Sequence, residues 1–303
     1  MRCLADTLKE KGILYKTNVS MASLCTFRIG GACSYLILPR CIGELVEAVT
    51  LCRRKNVPFA VLGRGSNMLC PDGGLCGALI STKNLNAHRF TEAGILADCG
   101  VSLPYLARLA AARGYSDLAF AAGIPGALGG GLFMNAGAYG KGLCECLRYA
   151  KVYDTLSDKI TTIFNKELSY SYRKTDFQAK NTIILQAELQ LTACVGEAAA
   201  RAEIQCLQAR RAATQPLDLP SAGSAFLRSP KGDSMGRILD ELGLKGKRCG
   251  GAAVSEKHAG FIVNLGGATA SDVLQLIREI SDIVEKEKGF RPVPEYRILS
   301  EEL

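Results

Sequence analysis

The chain has 303 residues, 48% of them hydrophobic, and a formal net charge of +8; that length suits roughly two domains with sizeable cores. Its basic residues are dispersed and Trp is absent, so neither a nucleic-acid stripe nor a single-strand stacking platform is expected, and a polyanionic small molecule is the better partner. No stretch reaches the ~18 apolar residues of a membrane helix, and MRCLADTLKEKG lacks the apolar run of a signal peptide, so a cytoplasmic protein without membrane insertion is expected.

In chain order, residues 27–38 read as a strand pair, 43–55 as a helix, and 59–62 and 78–81 as strands. A strand at 95–99 precedes a helix from Ser102 to about Arg113, with Pro104 tolerated in its first turn and Gly114 as its stop. Strands follow at 147–154, 159–164 and 182–191. Ala, Glu, Arg and Gln then dominate 196–213, a long helix, until the proline-bearing QPLDLP at 215–220. Beyond it come a short helix at 236–242, strands at 250–254 and 261–264, and an amphipathic helix at 271–288 with Val273, Ile277, Ile280 and Val284 on one face. The texture is α+β, with a domain boundary near residue 200.

Two glycine-rich loops interrupt this pattern. LGRGSN at 62–67 follows a short apolar run, and its consecutive small residues offer several backbone N–H groups to one anion. GIPGALGGGLFMNAGAYG at 123–140 carries seven glycines, so its backbone can lie directly against a large flat ligand or make a very tight turn. Neither loop is a G-x-G-x-x-G turn, and no P-loop is present. The thirteen cysteines include no C-x-x-C; with only His88 and His258 beside them, zinc and Cys–His chemistry are disfavoured, and most cysteines are expected to be small buried apolar residues. Cys144 and Cys146 form the one close pair.

Three clusters place reactive groups among constrained residues: YSYR at 170–173, PSAGSAF at 220–226 and PVPEYR at 292–297. Each has a bland alternative. Arg173 pairs with a surface carboxylate, Ser224 caps or turns the chain, and Glu295 bridges to Arg297.

Taken together, TFRIGG at 26–31, LGRGSN at 62–67, GIPGALGG at 123–130, MNAGAYG at 134–140, Tyr172-Arg173, SAGSAF at 221–226, GLKGK at 243–247, GGAAVS at 250–255, HAGFIVN at 258–264 and PEYR at 294–297 resemble, over nearly the whole chain, the short form of the UDP-N-acetylenolpyruvoylglucosamine reductase family, which lacks a tyrosine-loop insertion. The resemblance implies a two-lobed FAD-binding domain of the vanillyl-alcohol-oxidase (PCMH-like) type at 1–200, with lobes of about 1–82 and 83–200, and an α+β substrate-binding domain at 201–303 whose last residues return toward the active site. It implies noncovalent FAD, NADPH as reductant, and reduction of UDP-N-acetylglucosamine enolpyruvate to UDP-N-acetylmuramate in bacterial peptidoglycan synthesis. Arg173, Ser224 and Glu295 match the catalytic positions. Leu62, Gly63, Arg64, Gly65, Ser66, Asn67, Gly123, Ile124, Pro125, Gly126, Gly129, Gly130, Asn135, Ala136 and Gly137 match the cofactor loops. Tyr172, Arg211, Lys245, Lys247 and His258 are the implied substrate contacts. Departures fall at Ala119, at 227–230 and at Tyr296, where the family often has an acidic residue, a basic-Asn-Pro run and Val. Another oxidoreductase on the same FAD fold, or a nucleotide-sugar-binding protein without chemistry, are the rival readings.

Overall fold

The computed structural model describes residues 3–179 and 181–300. Its chain divides into two compact units: the first takes the N-terminus to residue 16, 35–64 and 78–211, the second 17–34, 65–77 and the chain from 212 onward. The two units change over at 211/212, and the second draws in two N-terminal stretches. Their partners are distant in sequence, which a composition change cannot reveal.

In the first unit an antiparallel five-stranded sheet runs in the order Lys159–Phe164, Leu147–Asp154, Thr182–Gln190, Gly94–Asp98, His88–Phe90. The inner strand Gly94–Asp98 is buried at every residue, whereas the edge strand Lys159–Phe164 is almost wholly exposed, as sheet position dictates. Phe59–Leu62 pairs in parallel with the strand Leu75–Ser81, Phe59 opposite Ala78 and Leu62 opposite Ser81. Helix Ile42–Arg54 buries Leu45, Ala48, Val49, Leu51 and Cys52, and helix Leu103–Ala112 buries Leu103, Leu106, Ala107, Ala110 and Ala111. Both stripes recur at the helical three- and four-residue spacing and enter one hydrophobic core with Ile95, Ala97, Ala187 and Leu189.

Gly100 shows how closely this core is built. A Cβ there would run into the Thr82 carbonyl oxygen and stand 2.6 Å from that of Leu85. Backbone on both sides cannot give way. Gly100→Ala is expected to cost about 1–3 kcal/mol or more, read as a lowered urea midpoint; an unchanged midpoint would contradict the packing.

The second unit holds a four-stranded sheet, Ser221–Ser224, Phe261–Asn264, Ala252–Val254, Arg248–Cys249 in that order. Helix Ala270–Lys288 turns Val273, Leu276, Ile277, Ile280 and Val284 inward and ends at Gly289, whose φ of +75° is the left-handed stop that glycine adopts at little cost. Thr269 and Asp272 form a capping box at its start, and Asp72 accepts from the N–H groups of Ala270 (2.7 Å) and Ser271 (3.0 Å). That contact ties residues 65–77 to the helix. Thr26 Oγ1 donates to the Ser221 carbonyl (2.6 Å), Asn264 Nδ2 to that of Phe27 (3.1 Å), and Arg297–Ile298 pairs in parallel with Met68–Leu69.

Most of the other expected elements are found within a residue or two of their places. Residues 27–38 are the exception, since only Ala32–Ile37 is a strand. Arg28 (φ +56°) and Gly30 (φ +127°) turn the preceding segment out of the extended region. The cysteines also depart from expectation: Cys25, Cys33, Cys52, Cys70, Cys99 and Cys144 are buried, while the other seven are partly or fully exposed.

Candidate active and cofactor site

The long glycine loop of the first unit is three things in sequence. Residues 119–123 form a 3-10 turn, residues 124–127 are extended, and Leu128–Phe133 is a short helix. The triple glycine explains why three side-chain-free positions are wanted there. A Cβ on Gly129 would stand 2.9 Å from Cys99 Cβ, and one on Gly131 would meet Leu143 and Leu103 at 2.8 and 2.9 Å, so these two let the helix lie against its neighbours. Gly130 is exposed, with no protein atom within 4 Å of the Cβ it lacks. Gly63, from the shorter loop, lies beside this segment, its absent Cβ 3.4 Å from Ala127 Cβ.

The shorter loop supplies donors. Among the described residues, the backbone N–H groups of Gly63, Arg64, Gly65, Ser66 and Asn67 have no protein acceptor. Gly65 takes a φ of +62°, and a Cβ there would run into the Leu24 carbonyl oxygen and stand 2.8 Å from Cys25 Cα, so no other residue fits. Consecutive unused N–H groups on a tight turn suit a phosphate group, and the open face at Gly130 is of itself suited to a flat ring system. These residues fit FAD. Of the expected cofactor residues, Gly129 lies against Cys99, and the Asn135 amide donates to Ser171 and accepts from Cys144.

Arg173 sits at the tip of a hairpin, between strands Tyr170–Ser171 and Lys174–Thr175, with a left-handed φ of +58°. Its guanidinium donates to the carbonyls of Asn135 (3.3 Å) and Gly137 (3.4 Å) and lies 5.1 Å from the Tyr172 ring centroid. From below, Gln178 Nε2 donates to the carbonyls of Arg173 (3.0 Å) and Phe133 (2.8 Å). Arg211, expected as a substrate contact, lays its stem over Gly123, where a Cβ would meet its Cδ at 2.8 Å. Burial lowers its pKa.

In the second unit Ser224 ends the strand Ser221–Ser224 opposite Phe261, after Gly223 at φ +84°. The Glu295 N–H donates to the Ala225 carbonyl (2.8 Å), Tyr296 Oη donates to that of Gly223 (3.2 Å), and Asn67 Nδ2 to that of Glu295 (3.2 Å). Ser224 and Glu295 are thus held on hydrogen-bonded neighbouring segments although 71 positions separate their numbers, 224 and 295. Tyr296 replaces an expected Val and adds the hydroxyl that reaches Gly223; its ring stacks edge-on against Phe27 at 5.6 Å, and burial pushes its pKa up.

The other three expected substrate contacts of this unit are engaged. Lys245 is paired with Asp240 and Lys247 with Glu279, each at 2.7 Å. Burial lowers the His258 pKa below its ordinary value, and the imidazole accepts the Gly260 N–H at Nδ1 (3.0 Å) while packing edge-on against Phe261. Gln178 and Thr26 were not anticipated, because each works through backbone carbonyls that no side-chain pattern announces.

Residues 215–299 match the C-terminal domain of UDP-N-acetylenolpyruvoylglucosamine reductase, and residues 33–159 match an FAD binding domain. The chain is 38% identical over 301 residues to the UDP-N-acetylenolpyruvoylglucosamine reductase of Caldanaerobacter subterraneus subsp. tengcongensis, covering 98% of both chains. It is 39% identical over 285 residues to that of Clostridium beijerinckii, covering 94% of this chain and 93% of the other. The crystal structure of the Thermus caldophilus enzyme superposes with a TM-score of 0.79 at 30% identity, covering 95% of this chain and 99% of that one.

Proposed function

The chain belongs to the UDP-N-acetylenolpyruvoylglucosamine reductase family, and from that premise we infer that Arg173, Ser224 and Glu295 carry the reduction of UDP-N-acetylglucosamine enolpyruvate to UDP-N-acetylmuramate. The observation that carries this reading is the likeness along 98% of the chain. The protein is an FAD-dependent, NADPH-using oxidoreductase. The 63–67 turn would hold FAD, which, once reduced by NADPH, would supply the hydride.

The chain's own residues govern what happens to the substrate. Hydride arrival at the terminal enolpyruvyl carbon places negative charge on the adjacent carbon and its carboxylate. Arg173 holds that carboxylate with a planar fork matched to two oxygens and lowers the energy of the growing charge. Ser224 gives the adjacent carbon its proton and regains one from solvent. Glu295 assists Arg173 in polarising the substrate. The process belongs to cell-wall building, on which cell shape and division depend, and it takes place in the cytoplasm; in support, no helix among the described residues is long and apolar enough to cross a membrane.

The purified protein is expected to be yellow, and acid precipitation should release the flavin into the supernatant. Anaerobic NADPH should bleach it, and the enolpyruvyl substrate should restore the colour with formation of UDP-N-acetylmuramate. A protein that binds no added FAD, or whose bleached form ignores the substrate, would overturn this function.

A further inference from the structure

We propose that Asn135 is the positioning residue for Arg173, setting where the guanidinium fork points by gripping the arginine hairpin from both its backbone and its side chain. The inference rests on the reading that Arg173 engages the substrate carboxylate. Asn135 is 8% exposed and has a φ of +41°, a left-handed conformation that Asn tolerates better than most residues. Its amide Nδ2 donates to the carbonyl of Ser171 (2.9 Å), two residues before Arg173. Its Oδ1 accepts from the Cys144 N–H (3.0 Å), which fixes the amide to the turn Leu143–Cys146, where Leu143 and Cys144 are buried. Its own carbonyl receives Arg173 Nη1 at 3.3 Å, and the carbonyl two residues on, at Gly137, receives Nη2 at 3.4 Å.

One residue therefore links three groups: the strand end that launches the turn, the core, and the guanidinium at the tip. The left-handed φ turns the 135–137 backbone so that two successive odd-numbered carbonyls meet the two terminal nitrogens. Gly142 completes the arrangement, since a Cβ there would lie 2.7 Å from Asn135 Oδ1 and push the amide off Cys144. Gln178 holds the Arg173 carbonyl from the other side (3.0 Å), so the hairpin backbone is pinned on both sides and the fork is left with a restricted set of directions. An arginine on a two-residue turn would otherwise sample many rotamers, and displacing a charge-stabilising group by about 1 Å costs on the order of 10²-fold in rate. Both ends of the amide are engaged within the protein, so its effect passes through the hairpin that carries Arg173.

The test uses binding as well as turnover. UDP-N-acetylmuramate carries the lactyl carboxylate and UDP-N-acetylglucosamine does not, so calorimetry with both on the FAD-loaded protein separates carboxylate capture from nucleotide binding. Asn135→Gly keeps the left-handed backbone and deletes both amide bonds. It is expected to weaken UDP-N-acetylmuramate about tenfold or more, with UDP-N-acetylglucosamine within about twofold and the same carboxylate-dependent loss in substrate turnover. In an Arg173→Ala background the same substitution should add almost nothing, because the two act as a unit. Equal weakening of both ligands, or effects that add independently of Arg173, would overturn the inference while leaving the proposed function standing. If Arg173→Ala itself leaves UDP-N-acetylmuramate binding intact, the role of Arg173 falls and this proposal with it. Should Asn135→Gly fail to fold by thermal melting, Asn135→Asp gives the same comparison, since it retains the oxygen that accepts from Cys144 and loses the donor to Ser171.

Discussion

Ser224→Ala is expected to leave bleaching of the flavin by NADPH nearly unchanged and to slow its recolouring by the enolpyruvyl substrate by about 10²-fold or more, the loss typical of a positioned proton-transfer group. The substitution removes one hydroxyl from a half-buried strand end. That strand end is held by main-chain bonds that the hydroxyl does not make: the Ala225 N–H donates to the Gly260 carbonyl (2.8 Å), and the Glu295 N–H donates to the Ala225 carbonyl (2.8 Å). Stability should therefore change by less than about 1 kcal/mol. An unassisted serine is a weak acid, and the basicity of the charged carbon left by hydride arrival makes the transfer favourable. Stopped-flow traces at about 450 nm for each half-reaction separate the roles. Equal slowing of both halves would show that Ser224 shapes the site and is not the proton donor.

Arg173→Lys is the second large effect. Lysine keeps the charge but loses the planar fork, and with it both the pairing to a carboxylate and the two contacts on the Asn135 and Gly137 carbonyls. The left-handed backbone penalises lysine and arginine alike. Turnover is expected to drop by about ten- to a hundredfold, mainly in the substrate half-reaction, while the melting curve stays within about 1 kcal/mol of the parent. Recolouring at the parent rate would reduce Arg173 to a surface cation. Slow recolouring with an unchanged melting curve places it at the reacting carboxylate.

The periodic elements were legible because their signals are local. Leu147–Asp154, Lys159–Phe164 and Phe261–Asn264 end where their apolar patterns end, and helix Ala270–Lys288 carries its stripe within its own residues and its caps, Thr269 and Gly289, directly beside them. The short helix Leu128–Phe133 was not legible, since three glycines in six residues have poor helix propensity. It forms because the N–H groups of Leu128 and Gly129 find the carbonyls of Val101 and Cys99, each at 2.8 Å, partners supplied by the fold. The candidate site divides in the same way. Arg173, Ser224 and Glu295 were identifiable from short motifs, whereas the ion pairs that occupy Lys245 and Lys247 depend on Asp240 and Glu279, and the second lies on a helix more than thirty residues away in sequence.

By itself the sequence determined the α+β character and the places of the two glycine-rich loops, because residue type, periodicity and glycine content act on the chain locally. Only the tertiary structure decided that residues 17–34 and 65–77 join the C-terminal unit, that His258 packs on Phe261 with its pKa lowered by burial, and that the Asn135 amide serves the Arg173 hairpin. Those outcomes are set by backbone hydrogen bonds such as Arg297–Ile298 beside Met68–Leu69 and by the desolvation of buried groups. Backbone donors and acceptors are the same at nearly every residue, and burial is a property of the packed whole, so neither leaves a pattern in the sequence.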